Sequence, residues 1–258
     1  MSFRMKSTNP ALSVFEKTEN LSLGPTDEFV VGESQRMTAN GTLNKTGLLI
    51  LIVIVSAAWS WSYLPTHPAM YKPFFFGALI AGLVSGFLLA SKPHLSSKVA
   101  PIYAVFEGLF LGGLSVFLES IYPGIAMQAA LATMATVIGM LVAYRTGIIK
   151  ASPMFKKVLV IAGMGIGIFY LISIGAYFIF DTSFSVNNLT NATPMGIAVS
   201  VFTTVVAALF LIMDFDRIER GVQEGAPKYM EWYGAFALTV TICWLYFEMI
   251  RLLAKLRD

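Results

Sequence analysis

The chain has 258 residues, of which 56% are hydrophobic and only 13% charged, and it carries a net charge of +3. An ordinary soluble domain has about 25% charged residues, so this composition excludes that class and indicates an integral membrane protein. Cys243, the one cysteine, excludes an intrachain disulfide.

Residues 1–46 are polar, with acids and bases mixed and few large apolar side chains after Phe15. Such a segment cannot bury a core of its own and is expected to be a mobile tail ahead of a membrane domain over 47–258. It does not resemble a cleavable signal peptide. Seven apolar runs follow: Leu48–Leu64, Phe74–Ser91, Val99–Leu118, Ile125–Tyr144, Val158–Phe180, Met195–Met213 and Trp232–Leu253. Each is near the roughly 20 residues that a helix needs to cross a bilayer core. None alternates polar and apolar residues as barrel strands do, so the expected fold is all-α. Prolines at or near the run starts (Pro73, Pro101, Pro153, Pro194) and aromatics at their ends (Trp59, Tyr63, Tyr122, Tyr144, Trp232) fit helix starts and interfacial anchors.

Orientation follows from Lys and Arg in the short connections. With the N-terminus inside, the inner segments carry Arg36, Lys45, Lys92, Lys98, Arg145, Lys150, Lys156, Lys157, Arg217, Arg220 and Lys228, while Lys72 stands in the first outer loop. The N-terminus is therefore expected on the cytoplasmic side. Arg251, Lys255 and Arg257 dissent, and would lie inside if the seventh run only dipped into the bilayer. The GxxxG pairs Gly82/Gly86, Gly108/Gly112 and Gly163/Gly167 are expected to be packing faces within a compact bundle.

Glu107, Glu248 and Arg251 are the only formal charges inside the runs. An acid near a helix centre costs about 2.5–3.5 kcal/mol on insertion scales, and such a group usually faces a partner or a cavity. Glu248 and Arg251 are three apart and share a helix face. Asp214 and Asp216 close the sixth run in LIMDFDRIER. That stretch patterns charge as a solvated helix end does, but Asp214 stands nearest the apolar residues. Two adjacent carboxylates would share a proton, and oxygen-only ligands suit a hard ion such as Ca²⁺. Asp214 and Glu248 are thus the candidate pH-sensing, ion-gating and Ca²⁺-contacting residues. Glu107, Asp216 and Arg251 are candidate supports.

Three motifs carry a resemblance. LIMDFDRI at the end of the sixth run, LYFEMIRLL in the seventh and YAVFEG in the third resemble the Bax inhibitor family. MTANGTLNKTGLLI and GAPKYMEWYGAFAL are similar to its YccA-like bacterial branch. The resemblance covers roughly residues 36–257. It implies a seven-helix bundle with the last helix central, and a pH-sensitive calcium leak gated by acids on the last two helices, here Asp214 and Glu248. It also implies membrane-protease regulation or cell-death suppression as other family roles.

Two features depart from the pattern. Glu248 replaces the more usual aspartate, and the linker between the two acids is long. The basic latch that some members carry in the second helix is also missing from the second run, Lys92 being the nearest. Taking the turn near Gly225, Asp214 and Glu248 would differ in depth by roughly 18 Å along straight helices. They can meet only if part of 220–232 lies along the membrane surface or the last helix bends. Otherwise Glu248 needs another partner, with Glu107 first.

Catalytic signatures are missing. His67 and His94 lie in loops, GxSG and GxGD do not occur, His and Cys do not cluster, and the last run has no lysine before Lys255. The expectation is a non-enzyme of a bacterial inner membrane, without a cofactor unless Ca²⁺ passes as cargo, and without nucleic acid. A non-conducting regulator that binds a membrane protease or another membrane protein is the alternative.

Overall fold

The computed structural model describes residues 36–180 and 192–258, so the polar segment up to residue 35 and most of the loop before Pro194 lie outside the described residues. Seven helices are long and apolar enough to cross a membrane. They are α1 Ala39–Tyr63, α2 Tyr71–Ser91, α3 Ser96–Ile121, α4 Ile125–Arg145, α5 Pro153–Phe180, α6 Pro194–Gln223 and α7 Met230–Arg257. Among the described residues there is no strand. The protein is a multi-pass, all-α membrane bundle.

Local chemistry sets the helix ends. Thr38 caps α1 by accepting from Gly41 N at 3.0 Å, so the helix starts well before the apolar run at Leu48. Thr193 caps α6 in the same way through Gly196 N, with Pro194 in the first turn. Gly225, at φ 68°, closes α6, and Ala226 N returns to Gly221 O at 2.9 Å. This left-handed position favours glycine because a Cβ would clash there. Only residues 224–229 separate α6 from α7, so the two helices form a tight antiparallel hairpin.

α7 is the central helix, packing against α1, α3, α4 and α6. Half of its most apolar window is buried, against 11% for α5, which leans mainly on α6. α2 packs on α3. The outer helices turn rows of Ile, Leu, Met and Phe outward, among them Ile80, Phe87, Met127, Leu131, Ile161 and Ile168. Such rows suit contact with lipid tails.

The three glycine pairs behave differently. At Gly112 a Cβ would come within 2.3 Å of Ala57 O, and at Gly108 within 2.4 Å of Val53 O. These two glycines let α3 lie against the α1 backbone, and Ser60 Oγ donates across that contact to Leu109 O at 2.7 Å. Gly163 has Phe210 of α6 against it, whereas a Cβ at Gly86 or Gly167 would meet open space. Only the α3 pair joins two helix backbones, so the expectation of a packing face at every pair is corrected.

α7 is continuous over 28 residues and does not dip and return. Its C-terminal end lies with the α3–α4 connection: Arg257 donates to Pro123 O at 2.9 Å and to Gln128 Oε1 at 2.7 Å. At the opposite end, Met37 N donates to Ala226 O at 2.7 Å, beside the α6–α7 turn. The start of α1 and the end of α7 are therefore at opposite ends of the bundle.

Candidate functional site

Among the described residues, α6 and α7 together carry most of the buried polar groups, and their shared seam holds both candidate acids. Residues 196, 200, 203, 207, 211 and 214 fall on one face of α6, at the three-to-four spacing of a helix. Opposite them on α7 stand Thr241, Trp244, Glu248, Arg251 and Lys255. Two contacts fix the antiparallel register: Thr203 Oγ1 donates to Glu248 Oε2 at 2.7 Å, and Thr241 Oγ1 donates to Asp214 Oδ2.

Glu248 is fully buried. Its Oε1 accepts from the Tyr170 hydroxyl of α5 and from Trp244 Nε1 at 3.1 Å. Arg251 Nη1 lies 3.7 Å from Oε2 and donates to Tyr170 Oη at 2.7 Å. The guanidinium also sits 5.4 Å from the centre of the Tyr170 ring, within cation–π range. Among the described residues, every partner of Glu248 named above donates a hydrogen or carries positive charge. The shell therefore matches an anionic carboxylate and holds α5, α6 and α7 together through it.

Asp214 is buried two turns away. It faces Thr241, with Arg217 Nη1 of its own helix 3.9 Å off. Thr241 and Glu248 are seven residues apart, so the two acids sit about 10 Å apart along α7. Among the described residues no hydrogen bond joins Asp214 to Glu248. The layer between them contains Ala207, Leu211 and Leu245, all fully buried. Neither a surface segment nor a helix bend brings the acids together, because α6 and α7 are nearly equal in length and meet at a short turn.

Glu107, the first alternative partner for Glu248, does not take that place. It lies half-buried on α3 beside Tyr103 and Cys243. Asp216 is tied to Lys156 of α5 and to Arg220 Nε at 3.0 Å. It helps line a cavity of about 470 Å³ with Tyr144, Arg145, Lys150, Ser152 and Glu219. Arg251 is the one supporting residue in direct contact with the Glu248 shell. Among the described residues no three His, Cys, Asp or Glu side chains gather as a metal site would require.

Sequence reasoning missed Tyr170, Thr203 and Trp244 around Glu248. Only the i+4 spacing of Trp244 to Glu248 was a usable signal. It also missed Glu231, a fully buried carboxylate at the start of α7. Glu231 accepts from Thr38 N at 2.9 Å, from Thr38 Oγ1 at 2.8 Å and from Lys45 Nζ. It therefore neutralises the positive end of α1. Its carboxylate fills the space where a Gly41 Cβ would stand, 2.3 Å from Oε1.

A family model described as Bax inhibitor 1 like matches residues 7–258 of the chain. No curated protein matches it.

Proposed function

The chain belongs to the Bax inhibitor 1 like family, and from that premise we propose that it is a pH-sensitive cation leak channel of the bacterial inner membrane, with Ca²⁺ as the transported ion. The observation that carries this reading is Glu248, a carboxylate fully buried in the central helix and bonded across three helices. Protonation would place a hydrogen inside a shell of donors and remove the charge that Arg251 faces. Tyr170 and Thr203 would then hold α5 and α6 to α7 less firmly, so the acid is suited to couple proton activity to helix spacing. Asp214 has fewer donors than Glu248 and is the better candidate for direct contact with a passing Ca²⁺. The two acids act at two depths in this reading, without a shared proton. No catalytic step and no resident cofactor belong to it.

The α6–α7 turn and the start of α1 lie on the cytoplasmic side in this proposal. The bases at that end, such as Lys92, Lys150 and Lys228, are exposed. At the other end Arg251 faces Glu248, Lys255 donates to Gly196 O at 3.0 Å, and Arg257 donates to Pro123 O and Gln128. The three dissenting bases are therefore engaged by the bundle and leave the positive-inside pattern intact.

The test is Ca²⁺ flux against pH in protein-free liposomes, with the wild-type chain and Glu248→Gln side by side. The variant is expected to lose most of the pH response. An unchanged flux and pH response would sink the proposal. A wild-type chain that conducts nothing, yet retains a membrane protease through residues 1–46, would replace it with the regulator reading.

A further inference from the structure

Ser200 stands between two occupied levels of the α6–α7 seam. One turn toward the N-terminus, Gly196 O accepts from Lys255 Nζ at 3.0 Å. One turn the other way, Thr203 donates to Glu248. In register, Ser200 faces Arg251. It is fully buried, and its Oγ has no hydrogen-bond partner among the described residues.

That hydroxyl is out of line with the other buried hydroxyls of the bundle. Ser115, Thr133, Ser173, Thr204 and Thr239 each donate to the carbonyl one turn back. The carbonyl one turn back from Ser200 is Gly196 O, which Lys255 already engages. A buried polar group of this kind is usually satisfied by an ordered water, provided that the surroundings offer further polar partners. The Gly196 carbonyl, the Thr203 hydroxyl and the Arg251 guanidinium border the same stretch of seam.

We propose that Ser200 marks a buried water site on an access path that runs from the Gly196–Lys255 end of the bundle to Glu248, and that Ala207, Leu211 and Leu245 close this path off from Asp214. It deepens the reading above, and rests on it only in taking Glu248 as the group served. Glu248 then exchanges protons with the compartment at the Asp258 end. The groups that face Glu248 are Tyr170 from α5, Thr203 from α6, and Trp244 and Arg251 on α7, with Lys255 one turn beyond. Those that face Asp214 are Thr241 and Arg217. Glu107, on α3, lies beside Cys243.

The test labels single cysteines in the full-length chain carrying Cys243→Ala, in vesicles of known orientation, with a membrane-impermeant charged methanethiosulfonate. Ser200→Cys is expected to react only from the Asp258 face, about tenfold or more faster than Leu211→Cys in the dry layer. No reaction, a rate equal to that of Leu211→Cys, or reaction from the α6–α7 turn face would overturn the proposal. Should Ser200→Cys not fold, Ser200→Ala in the native chain decides by its thermal midpoint. Loss of a solvated hydroxyl lowers the midpoint. An unchanged or raised midpoint means a dry orphan and ends the proposal. No flux is read, so a chain that conducts nothing passes or fails on this point alone.

Discussion

Glu248 is legible in the sequence because a carboxylate inside WLYFEMIRLL contradicts its surroundings. Its partners are not, since Tyr170 and Thr203 reach it only through the register of separate helices. Arg251 is the exception: its spacing of three puts it on the same face. That proximity predicts strong coupling. Arg251→Met leaves a buried carboxylate without its cation, and should cost about 3–5 kcal/mol of stability. Thermal unfolding in detergent measures it. The double variant Glu248→Gln/Arg251→Met should lose clearly less than the sum of the two single changes. Additive losses would mean that the pair, at 3.7 Å, contributes no mutual stabilisation.

Among the helices, hydropathy marks all seven spans but not how closely each approaches its neighbours. Identical GxxxG spacing leads to a backbone contact at Gly108/Gly112 and to open space at Gly86 and Gly167. The difference depends on which face of a helix its neighbour covers, and sequence spacing carries no such information. Gly112→Ala should therefore destabilise strongly, because neither Ala57 nor its helix can yield by the required distance. Gly167→Ala should be neutral or stabilise by up to about 1 kcal/mol through helix propensity. Melting curves of the two variants separate these outcomes. Hydropathy does not mark the start of α1, because its first turns from Ala39 to Thr46 are polar. Glu231 gives no signal in the sequence, because a charge beside a connecting segment is ordinary. The carboxylate that caps α1 from α7 predicts that Glu231→Gln speeds amide hydrogen exchange over residues 38–46 and leaves α4 unchanged. Equal exchange in the variant and the wild type would mean that Thr38 alone holds the helix end.

For the molecule as a whole, the central place of α7 and the opposite-ended arrangement of Met37 and Asp258 follow from seven complete crossings. The count of spans was readable from hydropathy. The resolution of the dissenting C-terminal bases was not, because it depends on carbonyls of Pro123 and Gly196 far away in sequence. A tag placed after Asp258 and a cysteine at Glu224 should be reachable by impermeant reagents from opposite sides of the membrane. Reactivity from one common side would contradict a complete seventh crossing. Arg257→Ala, which removes the tie to the α3–α4 connection, should leave that arrangement unchanged, since exposed contacts of this kind contribute little.

The three-residue spacing of Glu248 and Arg251 also bears on how the chain is made. α7 follows Tyr170 and Thr203 in the chain, so it leaves the ribosome after them. An acid entering lipid alone would meet a barrier of about 2.5–3.5 kcal/mol at the helix centre. Because its counter-charge is one turn away on the same helix, Glu248 enters already accompanied and exchanges lipid for tyrosine and threonine only afterwards. The pair that anchors the finished bundle thus also accompanies its central helix on entry into the membrane.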